Sequence, residues 1–306
     1  MHTEIEIREF LTTRRAKVTP ERAGLPTFGR HRRVAGLRRE EVALLAGISV
    51  EYYTRLERGN ARGVSDSVLD AVCTALQMND AERDHLLDLV RAANADRPPR
   101  RTSSPQKVRP SIARLADAMN PIPVIVRNGR LDLLYANDMG RALFSEVFRD
   151  PRGPNNARFT FLDPRSRLFW PDWERAASDT VAMLHAEAGR NPYDRSLAEL
   201  IGELSTRSDE FRVRWAAHDV KNHRSGTKQL RHPLVGELTL TFESLELSAD
   251  PGLSMSTYAA EPGSASEARL VELAEWAATR SKLAGVDDAA EIGEADAAAV
   301  ERSTTE

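Results

Sequence analysis

Two hydrophobic periods follow one another along this chain. Up to about residue 93, apolar side chains recur three and four apart, the spacing of helix faces. Between Gly36 and Gly59 this puts Val42, Ile48, Tyr53 and Leu56 on the inside of two short helices. Further on, Ser65 to Leu76 and Asp80 to Ala93 carry Val68, Leu69, Val72, Leu76, Leu86, Leu87 and Val90 at the same spacing. The front of the chain is therefore predicted to close as an all-α five-helix bundle, with Cys73 in its core.

From residue 121 the period shortens. Pro121 to Arg127 and Leu131 to Ala136 flank Asn128-Gly129, a strong hairpin signal. Helical patterns follow: a short one from Asn137 to Phe144, then Trp173, Ala177, Val181, Leu184 and Ala188 up to a stop at Gly189, then Leu197, Leu200, Ile201 and Leu204, then Ser208 with Phe211 and Trp215. Strands return at Gly226 to Arg231, Val235 to Leu247 and Leu253 to Tyr258, and in Gly236 to Glu243 apolar and polar residues alternate. Two strands, several helices and three more strands predict an α+β domain. Its antiparallel sheet carries helices on one face, with a cavity between the layers.

Breakers set the domain limits. Four prolines between Pro98 and Pro110 cannot continue a helix or a central strand. Residues 1–95 are thus expected to form the helical domain, 96–110 a basic linker and 111–262 the α+β domain. Ser264 and Glu267 offer a capping box for a helix over 263–284, with Leu270, Leu273, Ala274 and Ala277 on one face, and 285–306 read as an acidic disordered tail. The helix from Ser111 to Met119 is expected to turn Ile112, Leu115 and Met119 towards the sheet.

Composition narrows the class of function. No stretch approaches the roughly 18 apolar residues of a membrane span, and the start lacks a basic region followed by an apolar core, so a cytoplasmic protein without a membrane partner is expected. A single cysteine excludes an internal disulfide. The net charge of -3 hides a division: Arg8 to Arg39 holds ten basic residues against two acidic, whereas Ser264 to Glu306 holds four against ten. A basic front end is what a polyanion partner requires, since neutralised phosphates release condensed counterions.

The segment Gly36 to Gly59 gives that partner a geometry. Ala43 is small enough for two helices to cross, Gly47 supplies a left-handed turn residue, and Ser49 caps a second helix, as in a helix-turn-helix. Val50, Glu51, Tyr52, Thr54 and Arg55 are left on the outer face as base-edge readers. Glu51 either accepts from a cytosine amino group or favours the helix start. Arg30, Arg32, Arg33, Arg38, Arg39 and Arg58 are placed to hold phosphates. One head covers little DNA, so a homodimer on a palindromic double-stranded operator is expected.

These residues resemble the XRE family of bacterial and phage regulators, which includes the lambda-type repressors. The phrases Thr19 to Pro26, Gly36 to Val42 and Tyr52 to Glu57 are similar to its actinobacterial subgroup with an MmyB-like ligand-binding domain. Asn156 to Phe159, Phe161 to Pro164, Asp172 to Glu174, Phe211 to Trp215 and His232 to Gly236 resemble that second domain. The resemblance implies a lambda-repressor-like head, a PAS-like sensor and an apolar, fatty-acid-like ligand. Where the family has glutamine at the start of its first motif helix, this chain has Arg39, which keeps a phosphate contact but not a glutamine bridge to a base.

The ligand-binding candidates are Arg158, Trp170, Trp173, Phe211, Trp215, His218 and His232. The aromatic ones read by themselves more as core than as pocket wall, and the resemblance turns them towards a pocket. Arg158 is either a carboxylate anchor or a surface residue. His218, His223 and His232 match no zinc spacing, and no cofactor or metal is expected. Catalytic motifs are absent from the sequence, so a repressor rather than an enzyme is expected. The alternative is a DNA-binding regulator whose second domain is a dimerisation or protein-interaction platform with no small ligand.

Overall fold

A computed structural model describes residues 2–25, 34–94, 106–217 and 225–279. The described residues fall into two compact units. The first draws on Met1–Pro105, Thr160–Asp163 and Trp173–His223, and the second on Gln106–Phe159, Pro164–Asp172 and Arg224–Glu306.

The head of the first unit has five helices: α1 (His2–Lys17), α2 (Arg39–Ala46), α3 (Val50–Glu57), α4 (Asp66–Ala75) and α5 (Asp80–Asn94). Ile7, Phe10 and Leu11 of α1, Val42 of α2, Tyr53 and Leu56 of α3, Val72 of α4 and Leu86 and Leu89 of α5 meet in one core, which includes Cys73. Local chemistry starts the helices. Ser49 Oγ accepts from Tyr52 N at 3.0 Å, and Ser65 Oγ from Val68 N at 3.4 Å. These bonds satisfy amide groups that the first turn leaves without partners.

Three further helices belong to this unit: α10 (Trp173–Arg190), α11 (Arg195–Arg207) and α12 (Asp209–Ala216). Helix α10 packs along α5, and Ala186 joins the head core. The two helices approach closely at Gly189. A β-carbon there would lie 2.5 Å from His85 Nδ1, inside contact distance. Gly189 does not stop α10 as its position suggested; the helix runs to Arg190. His85 in turn meets Phe10 edge-on at 4.9 Å.

The second unit is α+β. It contains α6 (Pro110–Ala118), β1 (Val124–Asn128), β2 (Leu133–Ala136), α7 (Asp138–Leu143), a 3-10 turn (Val147–Arg149), most of α8 (Asn156–Leu162), α9 (Ser166–Phe169), β3 (Ser225–His232), β4 (Gly236–Glu246), β5 (Leu253–Ala259) and a helix α13 over 265–279. The strands form one antiparallel sheet in the order β2-β1-β5-β4-β3. Alternation along β4 buries Leu238, Leu240 and Phe242 as its pattern predicts.

Half of the expected capping box of α13 forms: Glu267 N donates to Ser264 Oγ at 3.2 Å, whereas Glu267 Oε2 accepts at 2.7 Å from Gly263 N, one residue before the cap, because Ser264 N donates to Glu261 O at 3.1 Å. Leu273 and Ala277 are buried. Helix α6 departs from expectation at one residue. Leu115 is 51% exposed, and Ala116 takes the core position with Ile112 and Met119 beside it. Residues 112, 116 and 119 are four and three apart and share one face, which leaves 115 at its edge.

Candidate nucleic-acid interface and cavity

The turn between α2 and α3 is fixed by its backbone. Gly47 lies at φ 65°, ψ 31°, and Ile48 N donates to Ala43 O at 3.0 Å. Such a left-handed residue costs glycine little and other residues more. With Tyr53 and Leu56 buried beneath, α3 presents Val50, Glu51, Thr54, Arg55 and Arg58 to a groove of about 490 Å3, which Asn60 completes. The Arg55 guanidinium lies over the Tyr52 ring, 4.8 Å from its centre. A cation held on an aromatic face has fewer rotamers to lose on meeting a base. Asn60 was not among the sequence candidates, because it lies past the helix end, where spacing gives no signal.

The phosphate candidates divide. Arg38 precedes α2 with its side chain about half exposed and 3.3 Å from the exposed Glu40; its amide donates to Glu41 Oε2 at 2.6 Å. Arg39 pairs with Glu57, whose side chain is 1% exposed, and Arg15 pairs with the same carboxylate. Tyr53 donates its hydroxyl to Glu57 Oε1 at 3.4 Å. Burial, then the Glu57 charge, holds the Tyr53 phenol well above its ordinary range. A buried carboxylate thus orients the first arginine of α2, whose side chain stays 48% exposed. Arg58 is exposed at the C-cap of α3. Ser49, not Glu51, makes the side-chain cap of α3, and the Glu51 carboxylate is exposed in the groove. Arg30, Arg32 and Arg33 lie outside the described residues.

The six described ligand candidates divide between the two units. Trp173, Phe211 and Trp215 belong to the first unit, packed with Phe161 and His185. Phe161 meets Trp173 at 5.9 Å and Phe211 at 5.1 Å, and Phe211 stacks on Trp215 at 5.5 Å. His185 stacks on Trp215 at 3.6 Å, and its Nε2 donates to Trp215 O at 2.9 Å. Trp173 Nε1 donates to Thr160 O at 3.0 Å.

Arg158, Trp170 and His232 belong to the second unit. Trp170 packs on Phe169 at 4.7 Å, with the Lys228 ammonium 5.2 Å above its ring. Its Nε1 is buried without a hydrogen-bond partner among the described residues. His232 Nε2 donates to Ala142 O at 2.9 Å while Nδ1 accepts from Leu234 N at 3.3 Å, an arrangement only the neutral ring allows. Burial lowers its pKa to match. His218 and His223 lie outside the described residues.

A cavity of about 730 Å3 opens elsewhere in the second unit. It is walled by α7, the 3-10 turn, the β3–β4 turn and α13, through Arg141, Phe148, Arg149, Leu234 and Trp276 among others. None of the six described candidates lines it.

Among the described residues no helix is long and apolar enough to cross a membrane. A family model described as a helix-turn-helix domain matches residues 27–86. A second, described as the MmyB-like transcription regulator ligand binding domain, matches residues 108–274, more than half of the chain. No curated protein matches.

Proposed function

The chain belongs to the MmyB-like transcription regulators, with a DNA-binding helix-turn-helix and a ligand-binding domain, and from that premise we propose that it is a cytoplasmic, non-enzymatic repressor. It binds a palindromic double-stranded operator as a homodimer, with residues 1–95 as the head and 111–262 as the sensor. An apolar, fatty-acid-like molecule sets the affinity. Only a ligand that binds the two arrangements of the heads unequally shifts the balance between them.

The observation that carries the DNA reading is the groove along α3, with Arg55 held over Tyr52 at its wall. Val50, Tyr52, Thr54 and Arg55 read bases there, with Glu51 as acceptor. The arginines at 30, 32, 33, 38, 39 and 58 hold phosphates. The test starts by selecting bound sequences from a random duplex library with the full chain. On the selected site Arg55→Ala is expected to cost about 1–3 kcal/mol, with little loss on random duplex. Arg38→Ala is expected to weaken both alike and to lower the slope of affinity against salt by about one. Equal losses on both duplexes for Arg55→Ala would remove it from the readers.

For the second domain, Arg158, Trp170, Trp173, Phe211, Trp215, His218 and His232 are the proposed ligand contacts. The buried indole N–H of Trp170 supports this, because an unsatisfied donor costs on the order of 1–3 kcal/mol that a bound acceptor recovers. The interlocked rings of Phe161, Trp173, Phe211 and Trp215 favour the second reading, a domain that serves only as a platform for dimerisation or protein contact. Mass spectrometry of an organic extract of the purified, denatured full chain separates them. A stoichiometric acyl species is expected; an empty extract moves the weight to the platform.

A further inference from the structure

The cavity between α7 and α13 has walls of two kinds. Phe148, Pro233, Leu234, Trp276 and Ala277 supply apolar surface, and Leu234 is a half-exposed large apolar side chain. The charged members are Asp138, Arg141, Glu146 and Arg149. Glu146 is already neutralised, since Arg149 and Arg165 each donate to it at 3.0 Å. Arg141 differs. Its guanidinium lies on the Phe148 ring, 5.3 Å from the centre, and among the described residues no carboxylate pairs with it.

We infer that this cavity binds a small aromatic carboxylic acid, its ring system between Trp276 and Phe148 and its carboxylate on Arg141. The volume lies within the roughly 300–1,000 Å3 of small-molecule sites. A guanidinium over a ring face still has N–H groups for a carboxylate, which it can hold through two parallel hydrogen bonds. Asp138 sits in the first turn of α7, one turn before Arg141, where the helix dipole favours its charge. It works against the anion, so the aromatic walls must supply much of the affinity. Trp276 and Ala277 lie past residue 274, where the match to the ligand-binding domain ends. The site therefore depends on a part of the chain that the family domain does not include, and on none of the described residues proposed above for the fatty-acid-like ligand.

The probe is 2-naphthoate, with 2-naphthamide as its neutral counterpart, titrated into the full-length protein and followed by isothermal calorimetry and Trp fluorescence. One naphthoate per chain is expected, with a dissociation constant on the order of 1 mM or tighter for so small a ligand, and the amide at least tenfold weaker. Arg141→Ala is expected to abolish the preference for the acid, Trp276→Leu to weaken both probes, and Arg158→Ala to change neither. Matching thermal unfolding of the variants rules out loss of fold. No saturable binding, or an acid preference that survives Arg141→Ala, overturns the inference. Operator affinity with and without naphthoate is a separate measurement: a site that binds but leaves it unchanged still stands as a site, and only a role in sensing falls.

Discussion

Replacing Glu57 with alanine is expected to destabilise the first unit by about 3 kcal/mol and to weaken operator binding, since Arg39 loses the carboxylate that orients it. Its carboxylate is buried between Arg15 and Arg39 and accepts from Tyr53 as well. Removing one partner of a buried ion pair costs roughly 3–5 kcal/mol, because the remaining charge stays desolvated. Arg39 is half exposed and relaxes into water, whereas Arg15 is largely enclosed, which places the cost at the lower end. Urea unfolding of the full chain measures it. Glu57→Gln keeps the shape and two acceptor lone pairs but not the charge, and a smaller loss is expected. A loss below about 1 kcal/mol for the alanine variant would mean that both arginines escape to solvent, leaving the carboxylate a minor element of the fold.

Gly189→Val is expected to separate α10 from α5 at a cost of about 3 kcal/mol. Overfilling a packed site typically costs 1–3 kcal/mol, and a branched side chain against the His85 ring falls at the top of that range. Phe10 backs the ring, so it cannot simply swing aside. Hydrogen exchange distinguishes this from general unfolding. Amides of α5 and the second half of α10 should lose protection first, while those of the sheet β2-β1-β5-β4-β3 keep theirs. Unchanged protection in α5 would show that the two helices are not a cooperative unit.

What the sequence revealed and what it hid follow from the range of the interactions. Gly47, Ser49 and the spacing of Val42, Tyr53 and Leu56 act within a turn or two, so the motif could be read residue by residue and its outer face deduced. Strand β4 announced itself through alternation. The apolar face of α10 was equally visible, yet Ala177, Val181, Leu184 and Ala188 look the same whichever surface covers them. Nothing in the pattern says that α5 is a neighbour. Leu115 was misplaced because two adjacent positions both suited a helix face, and the smaller Ala116 won the core. The cavity was invisible for a simpler reason: Arg141, Leu234 and Trp276 are brought together by tertiary packing alone. The carboxylate of Glu57 was hidden in the same way, as an ordinary charge in a helix of charges until Arg15 and Arg39 closed around it.

The chain passes between its two compact units five times, after residues 105, 159, 163, 172 and 223. Regulators of this broad plan invite cassette engineering, in which one head is spliced onto another sensor at a linker. Here a splice at the proline-rich stretch would take α1 to α5 and leave behind α10, whose Ala186 and Gly189 lie against the head. The transplanted head would carry an uncovered α5 surface and the donor sensor an orphaned helix. Working chimaeras of this protein should therefore be sought by exchanging α10 to α12 together with the head, as a discontinuous graft. The same topology makes recombination at the linker a poor route to new regulators in evolution, since a single crossover there breaks a unit rather than joining two.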